Sequence, residues 1–190
     1  MSALSLLILL IGMHMAPPAV QAQDIYHVTE TGDPNGSGAS FADSDAISLQ
    51  GAIDNAGGDD VIVIAAGRYV PSQQTDLADA RTATFLIDRS QDGLKVYGGW
   101  DGTTSFSSIT EVENELQNRD LAANRTVLSG DIDGDDITST DGITETAEDI
   151  EGDNSYTVVY LAGSAGRITL DTVLDGLVIT GGNADGTERS

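Results

Sequence analysis

One pattern recurs along this chain and narrows what it can fold into: short aliphatic runs that end on glycine or asparagine. Val173-Leu174-Asp175-Gly176-Leu177-Val178-Ile179-Thr180-Gly181-Gly182-Asn183 shows it best. Leu177 to Ile179 is entered through Asp-Gly and left through Gly-Gly-Asn. Glycine supplies the backbone angles of a sharp corner, and asparagine tolerates the left-handed region. The run therefore reads as one strand between two corners. Leu94 to Tyr97 before Gly98-Gly99 repeats the scheme. So do Val61 to Ile64 before Ala65-Ala66-Gly67, and Thr126 to Ser129 before Gly130-Asp131. Short strands cut by such corners fit a chain wound through stacked coils, each touching only its neighbours.

Ile179-Thr180-Gly181-Gly182-Asn183-Ala184-Asp185-Gly186 resembles the strand-and-corner signature of exported bacterial right-handed parallel β-helix proteins, of the pectin-lyase-like type. Three further pieces resemble the start of that family, in the order it would place them. They are Val63 to Tyr69, Val96-Tyr97-Gly98-Gly99-Trp100, and Asn118-Arg119-Asp120 through Val127 to Asp135. The resemblance covers residues 24 to 186. It implies an all-β fold, the N-terminal portion of a right-handed parallel β-helix (a solenoid) with a short capping helix. It says little about activity, because this fold hosts lyases, hydrolases, adhesins and passive stalks.

Residues 1 to 22 read as a signal peptide. Leu4 to Ile11 is apolar apart from Ser5 and too short to span a bilayer, and Val20-Gln21-Ala22 is a cleavage site ahead of Gln23. No transmembrane segment follows in the mature chain, 23–190. The expected location is therefore outside the cell or on its surface. The formal net charge of −23 argues against nucleic-acid binding, which needs basic patches to displace counterions. It also opposes unaided binding of anionic membranes or polyuronates. Such acidity keeps an extracellular protein soluble, and a specific cationic partner is the alternative. With no cysteine there is neither a disulfide framework nor thiol chemistry. An apolar content of 39% is low for a compact mixed domain and sufficient for a narrow aliphatic stack.

Along the mature chain, Ile25 to Val28 reads as the first strand and Thr31 to Ser40 as a Gly-rich loop. Ser44 offers a helix N-cap. Ala46, Leu49, Ile53 and Ala56 follow at helical spacing before Gly57-Gly58. Residues 44–55 are thus expected to form the helix that covers the open apolar end of the first coil, where bare strand edges would invite other strands. Val61 to Ile64 is an unbroken aliphatic run, the mark of a strand buried on both faces. Gly67 to Pro71 reads as a turn out of it. Thr84 to Ile87, Leu94 to Tyr97, Thr126 to Ser129, Tyr156 to Leu161, Arg167 to Leu170 and Leu177 to Thr180 read as strands. Trp100 to Ala123 is a long excursion with a helical turn at Glu111 to Leu116. Trp100 covers the flank of the stack or stacks on a sugar ring. Thr187 to Ser190 carries nothing like a cap, so the chain is expected to be the opening piece of a longer protein.

Chemistry is sparse. Residues 131–153 hold ten acidic side chains and no Lys or Arg, and read as a solvated acidic loop. At its start, Asp131-Ile132-Asp133-Gly134-Asp135-Asp136 places carboxylates around a glycine. Asp131, Asp133, Asp135 and Asp136 can converge on one hard cation, and Ca²⁺ prefers six to eight oxygens. The spacing resembles the opening of an EF-hand or dockerin loop. It departs at the sixth position, Asp136, and at the twelfth, Gly142; Asp141, Glu145 or Asp153 would have to complete the shell. Asp175 and Asp185 sit beside glycines and are expected to bond their own turns. One mature histidine, His27, and no cysteine leave no triad and no zinc site. Lyase chemistry needs a base and a cation beside a uronate. Arg167 among aspartates is the one arrangement that suggests it, and an ordinary ion pair accounts for that arginine as well.

The expected role is a secreted or cell-surface scaffold or adhesin, non-catalytic in this segment, contacting an extracellular glycan or cell-surface partner. The alternative is a polysaccharide lyase whose catalytic coil lies downstream.

Overall fold

The structure, a computed structural model, describes residues 23–163 and 168–185. The expected signal peptide, Arg167 and residues 186–190 lie outside the described residues. In chain order the elements are β1 (Ile25–Asp33), α1 (Leu49–Asn55), β2 (Val61–Ala65), β3 (Gly67–Tyr69), β4 (Phe85–Asp88) and β5 (Lys95–Trp100). They continue with α2 (Ile109–Glu115), β6 (Thr126–Ser129), β7 (Val159–Ala162), β8 (Val173–Asp175) and β9 (Leu177–Thr180). The fold is mostly β, with parallel sheets and few helices.

Among the described residues three sheets form, in the orders β1-β2-β5-β8, β3-β6-β9 and β4-β7. Every strand pairing in them is parallel. Ile25 pairs with Val61, Val61 with Lys95 and Lys95 with Val173 in the first sheet. Gly67 pairs with Thr126 and Thr126 with Leu177 in the second, and Phe85 with Val159 in the third. The chain visits the sheets in a fixed order: β2, β3, β4, then β5, β6, β7, then β8, β9. Ala66 alone separates β2 from β3. Gly176, at φ +72°, alone separates β8 from β9.

The aliphatic run of β2 is buried at every residue because both faces of its sheet are covered. Side chains alternate across a strand. Ile62 and Ile64 join Leu49, Ile53, Phe85, Leu94, Val96 and Leu128 in one core. Val61, Val63 and Ala65 join Phe41, Tyr97, Trp100, Phe106 and Val112 in another. Each aliphatic side chain so buried contributes about 1.5–3 kcal/mol. Trp100 therefore covers the flank of the first sheet. Its Nε1 donates to the Tyr97 carbonyl at 2.9 Å.

The helix expected from Ser44 is shorter. Ser48 caps α1, its hydroxyl accepting from the Gly51 N–H at 3.1 Å, and residues 43–45 form a turn instead. Ile47 is drawn into bridges with Val28 and Asp33 along the edge of β1, and pairing there outweighs helical propensity. For the same reason β1 runs on to Asp33, into the stretch expected as a loop. Gly67 to Tyr69, expected as a turn, is β3. Ile168 to Leu170 carries no strand, and β7 begins at Val159 rather than at Tyr156.

Candidate metal centre

β6 ends at Ser129 and the chain turns at Gly130 into the acidic segment. Asp131 is only 2% exposed, so the segment does not begin as a solvated loop. Arg68, on the neighbouring β3, meets it. Its Nη2 donates to Asp131 Oδ2 at 2.7 Å, to the Asp131 carbonyl at 3.0 Å and to Ser129 Oγ at 3.2 Å. The other carboxylate oxygen, Oδ1, accepts the N–H groups of Gly134 at 2.7 Å and Asp135 at 3.1 Å. These bonds fold the loop back on itself, and Gly134 takes the φ of +81° that the bend requires.

Asp136 is tied to the far end of the segment. Its Oδ1 accepts the Glu151 N–H at 2.8 Å. Its Oδ2 accepts the Thr144 hydroxyl at 2.8 Å and the Asn154 amide at 3.0 Å. Asn154 is fully buried and also donates to the carbonyl of Gly181, the corner after β9, at 2.6 Å. Asp133 Oδ2 accepts the Asp153 N–H at 3.0 Å.

One oxygen from each of Asp131, Asp135 and Asp136 lies within 4.8 Å of the others. Asp133 stands outside that triple and meets Asp135 over Gly152. A Cβ at Gly152 would lie 2.5 Å from Asp133 Oδ2 and 2.7 Å from Asp135 Oδ1, and would collide with Asp135 Oδ2. The bare glycine thus leaves room for two carboxylates to converge. The electrostatics follow. The Asp133 carboxyl titrates below its ordinary value, chiefly because the Asp153 N–H donates to it. The Asp135 carboxyl titrates above its ordinary value, through loss of water first and the charge of Asp133 second.

Four carboxylates therefore gather, and the Arg68 guanidinium is bonded to one of them, Asp131. An ionised carboxylate has about four lone-pair sites, so the donors in place leave acceptor capacity. Among the described residues the buried Oδ1 of Asn154 has no hydrogen-bond partner. An all-oxygen set of this kind suits a hard cation, Ca²⁺ above all. The chain finds no match among protein-family models, curated proteins or solved structures.

The residues proposed from sequence to close the shell behave differently. Asp141 faces Arg125 at 3.3 Å, Asp153 offers its backbone N–H, and Thr144 rather than its neighbour Glu145 reaches Asp136. Arg68, Thr144, Gly152 and Asn154 escape a reading of the sequence; the turn-like Gly152-Asp153-Asn154 is the one signal that points to any of them. Among the described residues neither Asp175 nor Asp185 bonds its own turn. Asp175 pairs with Arg119 at 2.7 Å, on the preceding pass of the chain, and Asp185 with Arg81 at 2.6 Å, two passes back. Among the described residues no helix is long and apolar enough to cross a membrane.

Proposed function

We propose that this chain folds as a right-handed parallel β-helix, closed at its first pass by α1, and serves as a non-catalytic scaffold or adhesin at the cell surface or in the medium. The observation that carries the reading is the fixed order in which successive passes enter three parallel sheets. α1 supports it as a cap, since Leu49, Ala52 and Ile53 are buried against the interior shared by β1, β2 and β4. A stack of this kind presents a long rigid flank to an extended partner such as a glycan. The test is incubation with uronate polymers, neutral glycans and whole cells. Retention on a glycan or cell surface without bond cleavage is expected. Release of unsaturated products would overturn the reading in favour of a pectin-lyase-like enzyme.

The carboxylate cradle over Gly152 favours a second reading, compatible with the first: Ca²⁺ held by Asp131, Asp133, Asp135 and Asp136 stabilises the stack. The ion would neutralise crowded carboxylates and tie the acidic segment to the corners after β6 and β9. Ca²⁺ at a hundred times its Kd adds about 2.7 kcal/mol to stability. Thermal unfolding with Ca²⁺ and with chelator checks this. A higher midpoint with Ca²⁺ is expected, and an unchanged midpoint at millimolar Ca²⁺ rules the site out.

A further inference from the structure

The 101–108 turn and α2 enclose a cleft of about 590 Å³ on the flank of the first sheet, with Trp100 and Phe106 at its base. Its walls are fastened from behind. The Phe106 N–H donates to Nε2 of His27 at 2.9 Å, and Ser105 Oγ accepts the Phe41 N–H at 2.9 Å. Val112 anchors α2 in the core beneath it. A cleft bonded to the core in this way is pre-formed, and a ligand need not order it on arrival.

Charge decides what fits. Asp101, Glu111, Glu115 and Asp120 line the cleft against one cation, Arg119. Arg119 is turned inward, with its side chain 4% exposed. It donates to Asp175 at 2.7 Å, to the Gly98 carbonyl at 2.7 Å and to the Leu116 carbonyl at 2.9 Å. The carboxylates are less committed. Glu115 Oε2 takes the Asn118 amide, and Asp120 Oδ1 takes the N–H groups of Ala122 and Ala123. The second oxygen of each accepts no hydrogen bond among the described residues. Anions are repelled from such a site. A neutral sugar would need a bare aromatic face to stack on, and Trp100 and Phe106 are only 7% and 8% exposed.

We propose that this cleft binds a ligand through its ammonium groups, set against Glu115 and Asp120, with the amides of Asn114, Asn118 and Asn124 meeting the ligand's remaining polar groups. The inference stands on the cleft alone and is independent of the proposed fold and metal site. The ammonium groups can come from a free polyamine or from an amino sugar.

Trp100 is the one tryptophan of the chain and lines the cleft, so its fluorescence reports occupancy directly. The test titrates the whole protein with spermidine and with a glucosamine trimer, at constant ionic strength. The N-acetylated trimer is the uncharged control. A saturable change with either charged probe is expected, and which probe responds identifies the source. Affinity should fall roughly tenfold in a Glu115→Gln, Asp120→Asn variant. Both replacements keep an acceptor oxygen for the local bonds, and an unchanged melting midpoint shows that the variant is folded. Silence with both charged probes, an equal response to the N-acetylated trimer, or equal affinity in the variant overturns the proposal.

Discussion

The backbone N–H of Phe106 donates to Nε2 of His27 at 2.9 Å and so fastens the 101–108 turn to the first strand. The other ring nitrogen, Nδ1, lies 2.8 Å from the Gly38 carbonyl. A carbonyl only accepts, so Nδ1 carries the proton and Nε2 is the acceptor. The ring is a neutral imidazole held as one tautomer. Phe41 meets it edge-on and Phe106 stacks on it.

A pH dependence follows. Burial lowers the His27 pKa below its ordinary 6.5. As pH falls, the unfolded chain takes up the proton first. The stability is therefore full above about pH 6.5 and is lost progressively below it, towards the folded pKa. Melting of wild type and of His27→Gln from about pH 7.5 to about pH 5 checks this. The advantage of wild type should shrink with acidification; a constant gap would show that His27 does not act as a neutral tether.

Gly152→Ala and Gly134→Ala form a controlled pair, since both glycines have positive φ, +54° and +81°. Open space surrounds Gly134, whereas carboxylates crowd Gly152. Gly134→Ala should cost about 1 kcal/mol, the conformational penalty alone. Gly152→Ala should cost about 2 kcal/mol or more and abolish any response to Ca²⁺. Denaturant unfolding with and without Ca²⁺ separates the two.

Removing Arg68 leaves the buried carboxylate of Asp131 without its guanidinium. Arg68→Gln should destabilise the protein by about 3 kcal/mol in urea unfolding. Adding Asp131→Asn should recover part of that loss, because the uncompensated charge goes with it. Additive losses would mean that the pair is not coupled.

Thr126 joins β6 to two other strands. Its hydroxyl accepts the Gly99 N–H at 2.9 Å and lies 3.2 Å from the Ala65 carbonyl. Thr126→Val keeps the shape and strands a buried donor, so about 1–3 kcal/mol should be lost. A neutral result by urea unfolding would show that Gly99 finds another acceptor.

Much of the strand layout was legible. Val61 to Ile64 announced a strand covered on both faces, and Thr126 to Ser129 was bounded correctly by the glycine after it. β3 was not legible, because Gly-Arg-Tyr has no aliphatic run; it becomes a strand through pairing with Thr126 to Leu128. The start of α1 was misplaced because Ser44 and Ser48 are equally good caps, and only the bridges of Ile47 to β1 decide between them. At the candidate site, Asp131, Asp133, Asp135 and Asp136 stood out as residues, but their surroundings did not. Arg68 comes from an earlier pass of the chain, and Gly152 and Asn154 from the far end of the acidic segment. Asp175 and Asp185 looked like local turn residues for the same reason, and each pairs with an arginine far away in sequence.

Parallel pairing throughout has a kinetic consequence. Among the described residues no two neighbouring strands of a sheet are joined by a hairpin, so none can zip up locally. Ile25 waits for Val61, and Phe85 waits for Val159. Large loops must close before pairing repays them, which makes folding intrinsically slow. During that wait, runs such as Val61 to Ile64 lie open to other chains. The net charge of −23 then has a task before the native state exists: mutual repulsion keeps unfinished molecules apart while each completes its own sheets.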